Sequence, residues 1–400
     1  MTHSQGIQPV KTLGVEPESR VPASRGLSFE VRLVLGVLAI INVVAAAAVA
    51  PDRGGDFSML YDSTQAWLHG LPPYVSSQPT TNLNPPLLWL VVVPFTALPA
   101  SMAYAAWTVI SLCLFGVTAR IAASAIRMPP IDIAVVVLSL TGTAFELGLG
   151  QISFVLLVPF TAAWLLDRSG RPIAAATCMG VLCALKPFFG LFVLVTLWRR
   201  EWRALVACVG AALVAVAAGW VLAGTEGSLA WISNIRHVTW SWHIFNGSVW
   251  GVGTRLLSRQ DMVLAAQWTP LSESPAGALA VGVVGTALVM TALWRSLGRA
   301  DIDRTYAAVS IAALLVSPLG WNYYLVTVFG PVLATVARRP SRWLWPVGAL
   351  AMCPYPLLVS RHYGVWGTLL VGQMTCAVVI GVFLLVVGQT DNEKPDRHHG

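Results

Sequence analysis

Three stretches of this chain run too long without a charge to belong to a water-soluble fold. Leu33–Ala50 holds 18 residues free of Asp, Glu, Lys and Arg, Ala204–Ala223 holds 20, and Val365–Gly388 holds 24. A helix needs about 20 apolar residues to cross the hydrocarbon core of a bilayer. The overall balance agrees: 56% of the 400 residues are hydrophobic and 11% charged, with a mean hydropathy of +0.70. Soluble domains carry about 25% charged residues. The chain therefore reads as an all-α integral membrane protein. Further candidate spans are Ala103–Ala119, Ile131–Leu147, Ile152–Leu166, Ala276–Trp294, Thr305–Val316, Trp321–Ala337 and Trp343–Val359. Pro86–Leu98 is shorter and either spans or re-enters. Pro172–Trp198 is interrupted at Lys186-Pro187 and is either one kinked helix or two short ones. The expected total is about 11 to 13 transmembrane helices.

Arginine placement orients these helices, because cytoplasmic loops carry the excess of Lys and Arg. The N-terminal tail holds Lys11, Arg20, Arg25 and Arg32, and three later loops each hold three arginines: Arg199, Arg200 and Arg203; Arg295, Arg299 and Arg304; Arg338, Arg339 and Arg342. An even number of spans separates successive clusters, so all fall on the cytoplasmic side. The expected organisation is a disordered cytoplasmic tail (1–29), a polytopic domain (30–389) and a second cytoplasmic tail (390–400). Two larger loops, 51–85 and 224–275, face outward. Arg120, Arg127, Arg168 and Arg171 fit only some assignments of the helices between 86 and 198. Leu33–Ala50 reads as a span and not as a cleaved signal peptide, since its polar leader is long and its apolar run exceeds a typical signal core.

The net charge of +7 is explained by arginines at lipid headgroups and calls for no nucleic acid. The six cysteines all sit in apolar runs and read as packing residues. No CxxC, HExxH, P-loop or dinucleotide glycine motif is present, and neither a metal nor a cofactor is expected.

The first outer loop carries the most information. Asp56 follows Gly54-Gly55, and residues 57–69 alternate Phe57, Leu60, Tyr61, Ala66, Trp67 and Leu68 with polar neighbours, as in a short amphipathic helix at the interface. Asp56 reads either as a solvated loop acid or helix cap, or as a general base. Lys186 interrupts an apolar run, where a lysine usually has an anionic partner or a function. Glu146 lies in another polar break, ahead of Gly148-Leu149-Gly150-Gln151, and the two could form a structural pair. Arg255 follows the Gly- and aromatic-rich stretch Phe245–Thr254 and suits either a phosphate or lipid headgroups. Ser317–Tyr324 caps a helix on the same outer side. A carboxylate, cations, amides and aromatics thus collect on one face, the set that a lipid-phosphate sugar would need.

These residues resemble a known pattern. Asp56-Phe57 with Tyr61, then Ala66, Gly70 and Pro72 to Tyr74, then Pro85-Pro86-Leu87, are followed in order by Gly150-Gln151, Lys186-Pro187, Asn246-Gly247-Ser248 with Arg255, and Ser317-Pro318 with Trp321. Together they resemble glycosyltransferase family 87 over roughly residues 30–390, a family of polyprenyl-phosphate-sugar-dependent membrane enzymes of the GT-C fold. The resemblance implies a polytopic bundle with short amphipathic helices in the first outer loop. It also implies an inverting transferase that moves a sugar, mannose foremost, from a polyprenyl-phosphate donor to a glycolipid such as a phosphatidylinositol mannoside on the outer face of the plasma membrane. It places the catalytic aspartate at Asp56, with Asp62 as the fallback base. Lys186 and Arg255 are then expected at the donor phosphate, and Tyr61, Tyr74, Gln151, Asn246, Trp321 and Tyr323 around the sugar and acceptor. One departure stands out: many relatives carry a His shortly after Ser-Pro-x-x-Trp, where this chain has Asn322-Tyr323-Tyr324. The competing readings are transfer of arabinofuranose from decaprenyl-phosphate arabinose, a transporter or flippase for a lipid-linked sugar, and a non-catalytic scaffold.

Overall fold

The computed structural model describes residues 26–49, 55–74, 82–236, 240–258, 272–298, 300–338, 340–354 and 364–389. Almost all of the two expected tails lies outside these residues, as do parts of both large loops, the loop at 360–364 except its last residue, His237 and His362.

The described residues form helices and turns. The chain begins with α1 (Phe29–Val49) and α2 (Gly55–Leu68), then passes through a short run of 3-10 turns around α3 (Trp89–Val92) into the long α4 (Ala100–Ile126). Helices α5 (Pro130–Ser139) and α6 (Thr141–Leu149) are one apolar run bent by 78°. Leu140 makes the bend by leaving helical geometry for extended backbone at φ −65° and ψ 133°. Next come α7 (Ser153–Arg168), α8 (Pro172–Leu185) and α9 (Phe192–Trp198), the last two separated at Lys186-Pro187. In α10 (Trp202–Arg236) the helix is broken at Gly224, whose φ of 66° suits glycine. Helices α11 (Val249–Leu257), α12 (Pro275–Leu297), α13 (Ile302–Val316), α14 (Phe329–Arg338), α15 (Leu344–Met352) and α16 (Gly364–Val387) complete the chain. Proline opens α5, α8 and α12, where its missing N–H is not needed.

Five of these helices (α1, α4, α10, α12 and α16) are long and apolar enough to cross a bilayer unaided. Their outward faces are apolar too: on α10, Val206 and Val214 are each 71% exposed and Val221 83%. Water would not tolerate that surface, and lipid does. The chain is a multi-pass membrane protein. At its centre α13 is buried on every side from Asp303 to Leu315, and α7 packs beside it.

Ion pairs tie one end of the bundle together. Arg32 at the start of α1 pairs with the fully buried Asp132 of α5 at 2.7 Å. Asp167 of α7 pairs with Arg199 after α9 at 2.8 Å. Asp303 of α13 meets Arg168 of α7 at 3.6 Å and accepts bonds from Arg338 of α14 and from the Trp164 ring. Arg304 reaches the carbonyl of Val387 at the end of α16, and Arg168 that of Ala125 in α4. Arg168 therefore lies at the same end of the bundle as Arg199, Arg304 and Arg338.

The consequence is geometric. Both ends of the run 172–198 lie at this basic end, so α8 and α9 rise and return with Lys186 at the apex. Of the two readings of Pro172–Trp198, two short helices is the one realised. In the same way α5–α6 rises and α7 descends, and α13 rises and α14 descends. Among the described residues, α1, α4, α5, α7, α8, α9, α10, α12, α13, α14, α15 and α16 form the up-and-down legs, but only the five named above, or six if α5–α6 is one bent span, are long and apolar enough to cross a bilayer, against the 11 to 13 transmembrane helices expected. The segment 86–97 is not one of them. It stays at the far end, where Leu87 lies against Gly219 of α10 and the Tyr61 hydroxyl donates to the Leu98 carbonyl.

Candidate active site

The turned-back legs are short. Helices α8, α7 and α13 have 14, 16 and 15 residues, about 21–24 Å at 1.5 Å per residue. The hydrocarbon core is about 30 Å thick, and α1 with 21 residues matches it. Lys186, Gln151 and the Ser317–Trp321 turn thus stand at the inner ends of legs shorter than α1, away from the basic end.

Helix α2 is the short helix that the sequence predicts in the first outer loop, and it packs against α3, α4 and α6. Phe57, Leu60, Tyr61 and Thr64 are buried. Its polar side chains find protein partners: Asn82 donates to the Ser63 hydroxyl at 2.8 Å, and Gln65 to the Thr96 carbonyl at 2.9 Å. The close approach depends on Gly150. At φ 66° it ends α6, and a Cβ there would lie 2.6 Å from that of Phe57. This is the physical content of the Gly150-Gln151 pair.

Asp56 is the second residue of α2. Its carboxylate makes no hydrogen bond or ion pair among the described residues and is partly open at its surface, yet protein rings it. The dry surroundings push its pKa up to about 6, against the opposing pull of the Lys186 ammonium. A carboxylate so placed, uncommitted to a partner, is suited to accepting a proton.

Lys186 sits opposite. Its ammonium donates to Asn84 Oδ1 at 2.8 Å and lies 5.4 Å from the centroid of the Tyr324 ring. Asn84 is held in turn by its backbone N–H and side-chain amide, both donated to Asn82 Oδ1. Glu146 does not form the ion pair with Lys186 that the sequence allowed. Its Oε1 accepts the Ser153 N–H at 2.7 Å and the Phe154 N–H at 3.3 Å, capping α7. Gln151 donates to the Tyr323 hydroxyl at 2.9 Å. The Tyr323 ring stacks on Trp321 at 6.0 Å and 17°, and Trp321 takes His243 edge-on at 5.4 Å. Burial and the nearby Arg255 push the His243 imidazole down to about 4, so it is neutral near pH 7.

The structure thus brings Asp56, Lys186, Gln151, Trp321 and Tyr323 together. The other candidate residues are placed differently. Arg255 is 1% exposed, and its guanidinium donates to the carbonyls of His243, Asn246 and Gly372 at 3.2, 3.0 and 2.8 Å. It ties the second loop to α16. The Asn246 amide is fully engaged: Oδ1 accepts from Ser248 and Gly320, and Nδ2 donates to the carbonyls of Ser241 and Pro318. With the Asn246–Trp321 bridge it staples the second loop to the turn carrying Trp321. Tyr74 donates to the Asn84 carbonyl at 2.8 Å and so supports the Lys186 partner from behind. Asp62 is exposed on another face of α2, six residues and about 240° from Asp56.

Asn246→Ala should therefore lower stability, since it strands two buried N–H groups and two carbonyls, at about 1–3 kcal/mol for each such group. A thermal melt of the detergent-solubilised protein should shift down by several degrees. An unchanged melt would remove the staple.

Two site residues escaped the sequence reading. Asn84 stands immediately before the Pro85-Pro86-Leu87 of the pattern. Tyr324 looked like one more interfacial aromatic. An apolar groove of about 280 Å³, lined by Leu194, Trp198, Met290 and Trp294, lies at the basic end, away from all of these residues.

The sequence pattern of glycosyltransferase family 87 matches residues 82–318. That range includes Asn84, Gln151, Lys186, Asn246 and Arg255, and it begins after Asp56. The chain is 27% identical over 331 residues to a polyprenol-phosphate-mannose-dependent alpha-(1-2)-phosphatidylinositol mannoside mannosyltransferase of Mycolicibacterium smegmatis, covering 72% of this chain and 71% of that one. It is 25% identical over 308 residues to the protein of the same description from Mycobacterium tuberculosis, covering 70% and 69%. Among solved structures, ArnT from Cupriavidus metallidurans in the apo state aligns with a TM-score of 0.41 and 16% identity, over 90% of this chain and 77% of that one.

Proposed function

The chain belongs to glycosyltransferase family 87, and on that premise we propose that it transfers mannose from a polyprenyl-phosphate donor to a hydroxyl of a phosphatidylinositol mannoside-type glycolipid. The reaction takes place on the outer face of the plasma membrane, with both termini in the cytoplasm. One observation carries the reading: Asp56, whose carboxylate makes no hydrogen bond or ion pair among the described residues, lies within reach of the charge of the half-buried Lys186 ammonium. The two mycobacterial relatives, described as phosphatidylinositol mannoside mannosyltransferases, support mannose and the acceptor class.

The mechanism follows from this geometry. The acceptor oxygen attacks the anomeric carbon while Asp56 takes its proton. The bond from that carbon to the phosphate oxygen breaks on the opposite face, and its electron pair leaves with the polyprenyl phosphate, inverting the centre. Lys186 offsets the negative charge gathering on the phosphate. Arg255 is not needed there, because its donors hold backbone carbonyls.

The test uses membranes containing the full chain, radiolabelled polyprenyl-phosphate mannose and a phosphatidylinositol mannoside acceptor. Label should appear in the glycolipid. No transfer from this donor, with transfer from decaprenyl-phosphate arabinose, would replace mannose by arabinofuranose; no transfer from either would favour a transporter.

The same assay predicts a pH limb. Asp56 accepts a proton only when ionised, and its carboxyl is raised to about 6. On the acid side, activity as kcat/KM should fall about tenfold per unit as the pH drops below about 6. An ordinary aspartate would place that limb near pH 4. A limb near 4 would show that Asp56 is not the titrating base in this environment.

A further inference from the structure

Glu146 is the buried acid that the mechanism leaves unused. It is 1% exposed. Its two oxygens are not equivalent. Oε1 is fixed by two backbone N–H groups at the start of α7, whereas Oε2 is buried with no hydrogen-bond partner among the described residues. A buried carboxyl oxygen without a partner is costly, and the cost is recovered when a partner arrives.

The surroundings say where that partner comes from. Helix α6 packs on α2 and on the 3-10 turns 322–328. Within α6, Gly142 lies against Asn322 and Tyr323. The Glu146 carbonyl accepts the Gln151 N–H at 2.9 Å, and Gln151 in turn holds Tyr323. Glu146 is also close enough to Asp56 and Lys186 to feel the charge of both. It thus lies among the elements that carry Asp56, Gln151 and Tyr323. A carboxyl oxygen whose twin oxygen is already anchored offers a rigid hydrogen-bonding partner to a sugar hydroxyl.

We propose that Glu146 Oε2 exchanges a hydrogen bond with one hydroxyl of the sugar being transferred, making Glu146 a specificity-determining residue of this site. The inference rests on the transferase reading above. Its test pairs two variants, Glu146→Ala and Glu146→Gln, with polyprenyl-phosphate mannose and its 2-, 3-, 4- and 6-deoxy analogues. Both variants leave Asp56 and Lys186 in place, and size-exclusion of the solubilised full chain checks their fold.

On the intact donor kcat/KM should fall about ten- to a hundredfold in Glu146→Ala. The loss in Glu146→Gln should be smaller, since its amide still reaches a hydroxyl. On one deoxy donor, and that one alone, wild type and variants should converge to within about threefold. A merely structural role for Glu146 would lower all donors by the same factor, and that result, or no loss at all, overturns the inference. If Glu146→Ala does not fold, the comparison of wild type with Glu146→Gln across the deoxy series decides in the same way. Wild-type chain that transfers no mannose would overturn the reading of function first, and this inference with it.

Discussion

Asp56→Asn should reduce sugar transfer by about 10²- to 10⁴-fold, the usual contribution of a positioned base, with the amount of folded protein in the membrane unchanged. The substitution keeps the shape of the side chain and removes only its ability to take a proton. Two observations make it a clean test. Asp56 holds no hydrogen bond or ion pair among the described residues, so its loss breaks no structural contact. Its carboxyl is already raised to about 6 by dry surroundings, so a neutral side chain there costs the fold nothing and relieves some desolvation. Thermal stability should therefore hold or rise slightly while activity collapses, an opposition seen at sites where function strains the fold. The control is Asp62→Asn. Asp62 is exposed and turned away, and its replacement should change activity less than about threefold. If Asp62→Asn abolished transfer and Asp56→Asn did not, the roles would be reversed. If neither mattered, a base-catalysed transfer in this loop would be excluded.

How much of this was legible beforehand depends on which residues one asks about. The long spans announce themselves by the absence of charge over 18 to 24 residues, a signal that needs no partner to read. The turned-back legs do not. Nothing in Pro172–Trp198 says whether the chain continues or returns at Lys186-Pro187, because that is decided by Arg199 finding Asp167 on another helix. The position of Asp56 in chain order was enough to raise it as a base, yet its freedom from partners is a property of the packing of α2 against α6. Asn246 shows the opposite failure. An amide in a Gly-rich outer loop reads as a ligand contact, and only the structure reveals four backbone partners for it. Arg255 is placed differently for the same reason: a guanidinium has five donors, and here two carbonyls of its own loop and one of α16 accept from it. Glu146 and Lys186 were legible as charges in apolar runs, and the pairing the sequence left open is not made, since each has an uncharged partner, the α7 N-terminus for one and Asn84 for the other.

Lys186→Met should lower transfer by about 10²- to 10³-fold, comparable to removing one preorganised donor from a site where charge develops, and the loss should fall mainly on kcat. The argument is one of timing. The donor's phosphate carries one negative charge while it is bonded to the sugar and gains another as that bond breaks, so a fixed ammonium stabilises the transition state more than the ground state. The Lys186 ammonium is fixed: Asn84 holds it from one side and the Tyr324 ring lies beneath it. Methionine keeps the length and apolar stem and removes the charge, so the fold should survive. Lys186→Arg should rescue poorly, because a planar guanidinium cannot keep the single contact to Asn84 Oδ1 and the seat on Tyr324 in the space of an ammonium. Asn84→Ala should reproduce part of the loss, about tenfold, by freeing the ammonium without removing it, and the double variant Asn84→Ala/Lys186→Met should be no worse than Lys186→Met alone. Steady-state rates with saturating acceptor and varied donor separate the outcomes. A rise in KM with kcat unchanged would make Lys186 a ground-state docking group for the phosphate, and an additive double variant would break the link between Asn84 and Lys186.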